Sequence, residues 1–462
     1  MCRQAHILIF VEVDVVVRHF IFSGVFNKLA DNFDVTFVFP EKGNKRMQSI
    51  DFEQIDLKGN KVTLPVPDRR YRVWKWLYLL HQVRYKTGKQ AKAIRSLHLK
   101  NLGWKAAFIF CFLSMPGVFY LVKRLFLIWL SKNPNDEMIK LLKKAKPHLI
   151  IHPCVLEGSY INDLTHYSKE FDIPLTVIMN SWDNPSTKRS MVGSPDWLLV
   201  WGEQTRQHAI EFMGMPESRV LSFGAAQFEI FKSSPKLSKD EFMAVNGLFS
   251  NRPILLYAGS SKGTSEISHL DLLDKAITSG ELPNVTVLYR PHPWGNGGKS
   301  GEQIINRSWR NVFIESSMKS YLSRIALGDT GKYLPSYEDT HTVLSHVDFV
   351  VSPLSTIILE AIMHGKPAVC FMPFEDKATH FLHDAELIHF EDIFSLDVVF
   401  TAKGYDELVP KILNMMSLAK SFDLPRRLKE SANFFVSCHK VSYETRLDSF
   451  AKSIATDATH GN

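Results

Sequence analysis

Residues 346–371 read HVDFVVSPLSTIILEAIMHGKPAVCF, a pattern that predicts a strand, a turn, a helix, a second turn and a second strand. The apolar run before the first proline is short, as in a strand buried on both faces of a sheet. Ser355 and Thr356 can cap the helix, because their hydroxyls can accept hydrogen bonds from unpaired amides of its first turn. Gly365 ends the helix, and Pro367 prevents its continuation. The stretch therefore predicts a βαβ unit of a parallel sheet.

The start of this helix is also a candidate anion site. In a parallel sheet, a helix that begins at the carboxyl end of a strand presents free amides and the positive end of its dipole there. Ser352, Ser355 and Thr356 are therefore candidates to bind phosphate. Glu360 lies four residues before His364, on the same face of the helix, and could bind a hydroxyl group of the same ligand. The alternative is an ordinary βαβ unit, with the hydroxyls as caps and Glu360 on the surface.

A second strand ends in a cationic motif. Residues 284–290 are rich in β-branched side chains and run into Arg290-Pro-His292-Pro. Two prolines around one histidine fix the backbone and remove two amide donors, which holds the imidazole at the carboxyl end of the strand. Arg290 and His292 would form a rigid cation pair that suits a diphosphate group.

A third candidate for phosphate binding is the loop Ser260-Ser-Lys-Gly-Thr-Ser265, which follows an apolar strand. Ser260, Ser261 and Lys262 can present hydroxyls, amides and an ammonium group. The loop is not a Walker A motif, because the spacer that precedes Gly-Lys-Ser in that motif is missing. The first strand and helix of the chain likewise lack the Gly-x-Gly-x-x-Gly fingerprint of dinucleotide binding.

Together, Arg290-Pro-His-Pro, Ser352-Pro-Leu-Ser-Thr, Glu360 and His364-Gly-Lys-Pro resemble the nucleotide-binding half of GT-B enzymes of bacterial surface-polysaccharide synthesis. Such enzymes include capsule and lipopolysaccharide glycosyltransferases, CDP-glycerol glycerophosphotransferases and, more distantly, UDP-N-acetylglucosamine 2-epimerases. The resemblance implies an α/β fold of two Rossmann-like domains that face each other across a cleft. It also implies that the second domain binds the nucleotide donor and that a carboxyl-terminal helix crosses back to the first.

The length of 462 residues exceeds one typical core, which favours two domains. We expect a Rossmann-like acceptor domain over residues 1–232 and a nucleotide-donor domain over 233–462, with 228–250 as the connection. The content of 45% hydrophobic and 22% charged residues is typical of soluble globular proteins. Five scattered cysteines predict a reducing compartment and no zinc site.

Positive charge is concentrated in one segment, although the net charge of the whole chain is only +7. Between Arg69 and Asn135 there are fourteen Lys and Arg residues and no acidic residue. Aromatic residues crowd the same segment, so we expect an inserted helical region over about 71–132 that lies on an anionic membrane surface. The residues expected on the acceptor or membrane side are Arg69, Arg70, Arg72, Trp74, Lys75 and Trp76.

Other interpretations of this segment are a membrane-spanning helix over 106–130 and ordinary core helices with a basic outer face. Pro116-Gly117 and Lys123-Arg124 interrupt the apolar run, which argues against a span. Nucleic acid is not an expected partner, because no nucleic-acid-binding motif accompanies the charge.

Group transfer from a nucleotide needs a base for the acceptor hydroxyl and cations for the departing phosphate. Asp14, directly after the first strand, and Asp183, in a polar loop after a later strand, are our first candidates for the base. His152 and Glu157 follow them. Each can instead be a helix cap or part of a surface ion pair. His292 is our candidate to stabilise the departing phosphate.

The chain has no Asp-x-Asp motif and no paired carboxylates of the kind that hold a metal ion, so we expect metal-independent transfer without a cofactor. The predicted function is transfer of a sugar from a UDP- or CDP-linked donor to a glycan or lipid-linked acceptor. We expect the protein to be cytoplasmic and peripheral on the inner face of the membrane. The alternatives are a CDP-polyol phosphotransferase, a nucleotide-sugar 2-epimerase or hydrolase, and a non-catalytic scaffold.

Overall fold

The computed structural model of the protein describes residues 5–41, 55–99, 103–249, 252–260, 265–293, 302–327, 335–376 and 386–460. The chain divides into two compact units. Unit 1 consists of Met1–Glu229, Leu387–His389 and Phe435–Asn462, and unit 2 consists of Ile230–Glu386 and Phe390–Phe434.

A seven-stranded parallel sheet forms the centre of unit 1, in the order β3-β2-β1-β4-β5-β6-β7. The central strands are buried along their length, which explains why they read as continuous apolar runs rather than as alternating patterns. The strands are β1 His6–Phe10, β2 Asp34–Pro40, β3 Asn60–Leu64, β4 Leu149–Cys154, β5 Leu175–Met179, β6 Trp197–Val200 and β7 Val220–Ser222.

Helices cover this sheet, and four of them form the insertion between β3 and β4 that the sequence predicts. The helices are α1 Asp14–Val16, α2 Asn27–Asn32, α3 Asp68–Tyr85, α4 Gly88–Leu99, α5 Gly103–Leu113, α6 Pro116–Lys132, α7 Asp136–Ala145, α8 Ile161–Glu170 and α9 Glu203–Met213. The insertion consists of α3 to α6 and has its own small core, which includes Tyr78, Ile94, Phe110 and Phe119.

Unit 2 contains a six-stranded parallel sheet in the order β10-β9-β8-β11-β12-β13. Its strands are β8 Ile254–Ala258, β9 Thr286–Arg290, β10 Val312–Ile314, β11 Phe349–Ser352, β12 Ala368–Phe371 and β13 Val399–Ala402. The helices from β7 to the last helix of the chain are α10 Lys239–Asn246, α11 Glu266–Ser279, α12 Ser316–Ala326, α13 Tyr337–His346, α14 Ile357–Met363, α15 Ile388–Phe394, α16 Tyr405–Leu418 and α17 Leu424–Phe435.

The last helix, α18 Tyr443–His460, belongs to unit 1. Tyr443 and Leu447 are buried in the same hydrophobic core as Ile7 and Ile9 of β1. The prediction of an α/β fold with two Rossmann-like parallel sheets is thus confirmed, with the inserted helices where the basic segment indicated.

Two predicted helices differ from the observed ones. The sequence pattern predicts a single helix over residues 15–30, but the chain forms α1, a π-helix at Val17–Ile21 and then a turn before α2. Gly24 adopts a φ of 70° in that turn, which a continuous right-handed helix excludes. The sequence pattern also predicts a helix over residues 436–454. The observed helix begins later, at α18, where the Ser442 hydroxyl accepts a hydrogen bond from the Thr445 amide and caps its first turn.

Candidate functional site

Three neighbouring strands of unit 2 bring the predicted phosphate-binding motifs to one edge of the sheet. In the β8–β9 register Ala258 lies opposite Arg290, and in the β8–β11 register Tyr257 lies opposite Val351. Arg290, Ala258 and Ser352 therefore end adjacent strands at the same level. Since the carboxyl edge of a parallel sheet is where ligands bind in such folds, we call this region the carboxyl edge of unit 2.

Arg290 is buried at this edge and already has partners. Its guanidinium lies 3.3 Å from Glu315 Oε2 and donates to the Thr340 hydroxyl at 3.3 Å. A guanidinium held in this way contributes positive potential to the edge, but it is not an exposed cation. His292 is half-buried two residues later and is the more accessible member of the predicted pair.

The start of α14 offers hydroxyl groups. Ser352 is fully buried, and its Oγ makes no hydrogen bond to any part of the chain that the structure describes. Thr356 stands at the N-cap, yet its side chain makes no capping hydrogen bond, unlike the prediction. Ser355 and Thr356 are half-buried, and Glu360 is 7% exposed rather than on the surface. These hydroxyls are placed where a ligand group could complete their hydrogen bonding.

The far end of α14 is tied to α13 by two histidines. His364 Nδ1 lies 2.7 Å from the Glu360 carbonyl oxygen, and its Nε2 lies 2.9 Å from His341 Nδ1. Burial lowers the pKa of His364 to about 4, and the nearby His341 and Lys366 act in the same direction. His364 is therefore neutral at physiological pH and serves to hold the helix that carries Glu360.

A buried polar network that sequence reasoning missed lies beside β8. The Tyr257 hydroxyl is 2.5 Å from His269 Nδ1, and His269 Nε2 is 3.1 Å from Asp376 Oδ2. Asp376 also accepts hydrogen bonds from the Tyr405 hydroxyl at 2.7 Å and the Ser265 amide at 3.1 Å. Burial alone would raise the pKa of Asp376, but its hydrogen bonds and His269 outweigh burial and lower it to about 2. Asp376 is therefore an ionised acceptor.

Glu266 plays a matching role at the other end of the same loop. Its Oε1 accepts a hydrogen bond from the Ser260 amide at 2.9 Å. A Cβ at Gly259 would lie 2.6 Å from Glu266 Oε1, so a larger residue there would displace this carboxylate. The positions Ser260 and Ser265 are thus both fixed by carboxylates. Ser261 and Lys262 lie outside the described residues.

In unit 1, the first acidic residues after β1 are buried. Glu12 accepts hydrogen bonds from the amides of Ser159 and Tyr160 and lies 2.7 Å from His152 Nε2. Burial alone would lower the pKa of His152, but Cys154 and Glu12 outweigh it and raise the pKa to about 10. His152 and Glu12 therefore form a buried pair at the end of β1 and β4.

Asp14 and Asp183, the first-ranked candidates for the base, are also enclosed. Asp14 is 0% exposed, and its Oδ1 accepts a hydrogen bond from the Val15 amide at 2.7 Å. Asp183 is 6% exposed and forms an ion pair with Lys188. Burial alone would raise the pKa of Asp183, but Lys188 and His389 lower it to about 2. Both side chains thus have local roles, as a helix-start acceptor and a loop ion pair.

Glu157 is the most exposed of the four candidates for the base. It follows β4, and its Oε1 accepts hydrogen bonds from the Tyr71 hydroxyl at 2.8 Å and the Lys75 ammonium at 2.6 Å. The side chain is 23% exposed. Burial favours a higher pKa for Glu157, but Lys75, His98 and Tyr71 outweigh it and lower the pKa. Lys75, which was expected on the acceptor side, is therefore ion-paired with Glu157.

Arg70 and Trp74, which were expected to face an acceptor or membrane, are buried instead. Arg70 Nη2 lies 2.7 Å from Asp163 Oδ1 on α8, and Trp74 Nε1 donates to the same oxygen at 2.9 Å. Arg70 Nη1 also donates to the carbonyl oxygen of Leu130 at the end of α6 and to that of Asn133. This buried anchor fixes the inserted helices to the sheet domain. A lone sequence could not reveal it, because Arg70 and Asp163 are far apart in the chain.

The other predicted acceptor-side residues of α3 are accessible to different degrees. Arg69 and Arg72 are exposed, whereas Trp76 is half-buried and stacks on Phe110 with ring centroids 4.6 Å apart.

Helices α5 and α6 expose an unusual amount of apolar surface. Trp104, Phe108 and Phe112 recur every four residues along α5 and are 76%, 71% and 53% exposed. On α6, Leu121 and Leu125 are 59% and 54% exposed. We call this surface the apolar face of α5 and α6. Within the described residues no single helix has the length and apolar character to cross a membrane, although α5 and α6, bent by 99°, meet both criteria as a pair.

The described residues contain no group of three or more His, Cys, Asp or Glu side chains arranged to hold a metal ion.

No protein-family model matches the sequence, and no curated protein matches it.

Solved structures, by contrast, match nearly the whole chain. The glycotransferase of kitacinnamycin is similar over 98% of this chain and 100% of its own, with 12% identity and a TM-score of 0.53. A UDP-GlcNAc 2-epimerase from Methanocaldococcus jannaschii is similar over 97% of this chain and 99% of its own, with 9% identity and a TM-score of 0.51. The chain has the GT-B fold. A variant of the wall teichoic acid polymerase TagF shares 10% identity over 99% of this chain and 90% of its own, with a TM-score of 0.50. Similarity of this kind, over nearly the whole chain at low identity, shows a shared fold.

Proposed function

We propose that the protein is a metal-independent GT-B glycosyltransferase that moves a sugar from a UDP- or CDP-linked donor to a glycan or lipid-linked acceptor. The observation that carries the proposal is the convergence of three motifs at the carboxyl edge of unit 2. Arg290 and Ser352 end two strands of unit 2, and His292, Ser260 and Thr356 follow within four residues of a strand end. Cations, amides and hydroxyls at such an edge suit a diphosphate group.

The buried Ser352 hydroxyl provides the sharpest test of donor binding. We expect UDP or CDP to raise the melting temperature, since a ligand of the folded state stabilises by about 2.7 kcal/mol at a hundredfold excess over Kd. Ser352→Ala removes a hydroxyl that has no hydrogen-bond partner in the described residues. It should therefore leave the free protein as stable as before and reduce the nucleotide-induced increase.

Thr286→Val is the matched control, because Thr286 Oγ1 is equally buried and unpartnered within the described chain but lies at the opposite, amino end of β9. Its nucleotide-induced increase should equal that of the wild type. If none of UDP, GDP, CDP and CMP raises the melting temperature, the donor site does not exist. Arg290→Ala is a poorer probe, because it would also leave the buried Glu315 unpaired.

We further propose that unit 1 rests on an anionic membrane at the inner face, with the apolar face of α5 and α6 against the lipid. Lys105 on α5 and Arg124 on α6 are exposed beside the apolar residues. Basic residues near an anionic surface contribute about 1 kcal/mol each. Replacing Trp104 and Phe108 by serine should reduce co-sedimentation with phosphatidylglycerol vesicles. Phe422→Ser, at a fully exposed phenylalanine of unit 2, is the control and should bind like the wild type.

A CDP-polyol phosphotransferase is the second candidate. The basic, acid-free segment between Arg69 and Asn135 would suit a polyol-phosphate chain as acceptor, and TagF, a wall teichoic acid polymerase, shares the fold. Stabilisation by CDP and CMP but not by UDP, with cytidine nucleotide release from CDP-glycerol, would favour this reaction over sugar transfer.

A further inference from the structure

The proposed transfer requires a group that can take the proton of an acceptor hydroxyl, and the residues expected on the acceptor side lie in unit 1. Four carboxylates follow the strands β1, β4 and β5 at the carboxyl edge of the unit 1 sheet. Three of them, Glu12, Asp14 and Asp183, are at most 6% exposed and are held by backbone amides, His152 or Lys188. Glu157 differs from these three in both exposure and hydrogen bonding.

The two oxygens of Glu157 have different environments. Oε1 receives both hydrogen bonds, from Tyr71 and from Lys75, which lie one turn apart on α3. Oε2 makes no hydrogen bond to any described residue, and the side chain is 23% exposed. Two donors on one rigid helix therefore fix the carboxylate through one oxygen and leave the other available to a ligand.

We infer that Glu157 is the catalytic base and that its Oε2 accepts the proton of the acceptor hydroxyl, an assignment that rests on the proposed function. In this step the acceptor O–H bond breaks and its proton passes to Oε2. The acceptor oxygen forms a bond to the anomeric carbon, and the bond from that carbon to the phosphate oxygen breaks. The nucleoside diphosphate leaves with the bonding electrons. Tyr71 and Lys75 are positioning residues that keep the carboxylate ionised.

The charged neighbours of Glu157 predict how its titration responds to mutation. Lys75 and Tyr71 on α3 and His98 on α4 all act to lower its pKa, against the effect of burial. The His98 imidazole lies 3.1 Å from the Arg189 carbonyl oxygen, and burial lowers its pKa. Lys75 is thus the fixed positive charge at the site. Lys75→Met should raise the pKa of Glu157 and shift the acid limb of the rate profile to higher pH.

The test measures nucleotide release from UDP- and CDP-linked sugars with vesicles of bacterial total lipid extract as the acceptor source. Glu157→Gln should lower kcat by about 100-fold or more, the usual range for a lost general base. Its KM for the donor and its nucleotide-induced thermal stabilisation should stay unchanged. Glu157→Asp, which keeps the carboxylate, should recover part of the rate. Glu137→Gln, at an exposed carboxylate of α7, is the control and should have wild-type activity.

Two results would overturn the assignment while the proposed function stands. The first is a kcat of Glu157→Gln within about threefold of the wild type, because a missing base should cost far more. The second is an acid limb of the pH–rate profile that does not shift in Lys75→Met. The absence of nucleotide binding by the wild type would instead refute the proposed function itself. Because thermal stabilisation by nucleotide is measured on each variant, a loss of folding cannot be mistaken for a loss of the base.

Discussion

Replacement of Asp163 by alanine should destabilise unit 1 more than any surface change. The carboxylate is 1% exposed and receives hydrogen bonds from Arg70, from Trp74 Nε1 at 2.9 Å and from Asn135 Nδ2 at 3.0 Å. Removing it leaves the buried Arg70 without a counter-charge, at a cost of about 3–5 kcal/mol. Trp74 and Asn135 also lose their buried acceptor, which adds to this cost. We therefore expect the free energy of unfolding to fall by roughly 4 kcal/mol or more.

Urea denaturation followed by tryptophan fluorescence measures this loss, and a double-mutant cycle with Arg70→Met separates the ion pair from the packing. The double mutant should be at least about 2 kcal/mol more stable than the sum of the two single effects predicts. Asp31→Ala is the control, because Asp31 pairs with Lys58 at the surface and should change stability by less than about 1 kcal/mol. Single effects that add within about 0.5 kcal/mol would refute the buried anchor.

Two further predictions concern pH and backbone conformation. The folded-state pKa of Asp183, about 2 against an ordinary 3.8, means that the ionised carboxylate, which Lys188 and His389 stabilise against the effect of burial, contributes about 2 kcal/mol above pH 4. This contribution is lost as the pH falls towards 2, so the stability difference between wild type and Asp183→Asn should shrink over that range in urea titrations; a constant difference would contradict it. Gly365→Ala should cost about 1–3 kcal/mol, because Gly365 has a φ of 70° and an added Cβ would lie 3.0 Å from Pro425. Gly247→Ala, with a similar φ but nothing within 4 Å, should cost less in the same thermal melts, and equal losses would exclude the steric effect.

The sequence allowed the parallel strands and their shared edge to be predicted, because both depend on local patterns. Apolar runs mark buried strands, and parallel strands place Arg290 and Ser352 at one edge whatever the loops between them do. The partners of those residues could not be predicted. Glu315, which lies 3.3 Å from Arg290, follows the next strand along the chain, and nothing in its local pattern distinguishes it from a surface glutamate.

The formation of the inserted helices could likewise be predicted from local sequence, whereas their contacts with the rest of unit 1 could not. Helical spacing and charge predicted that α3 would form, but not which of its basic residues would face inward. Arg70 is buried because Asp163 and the end of α6 offer it acceptors, whereas the adjacent Arg69 is exposed. The role of Glu157 depends likewise on Tyr71 and Lys75, which lie more than eighty positions earlier in the chain.

The place of α18 in unit 1 has a consequence for biosynthesis. The sheet of unit 1 needs Tyr443 and Leu447 to cover β1, yet about 210 residues separate Glu229 from α18. At a translation rate of about 5–20 residues per second, that face of the nascent sheet waits roughly 10–40 s for its last helix. Unit 2 can complete its own sheet during this interval, so chaperones should bind the uncovered sheet of unit 1 while the second half of the chain is synthesised.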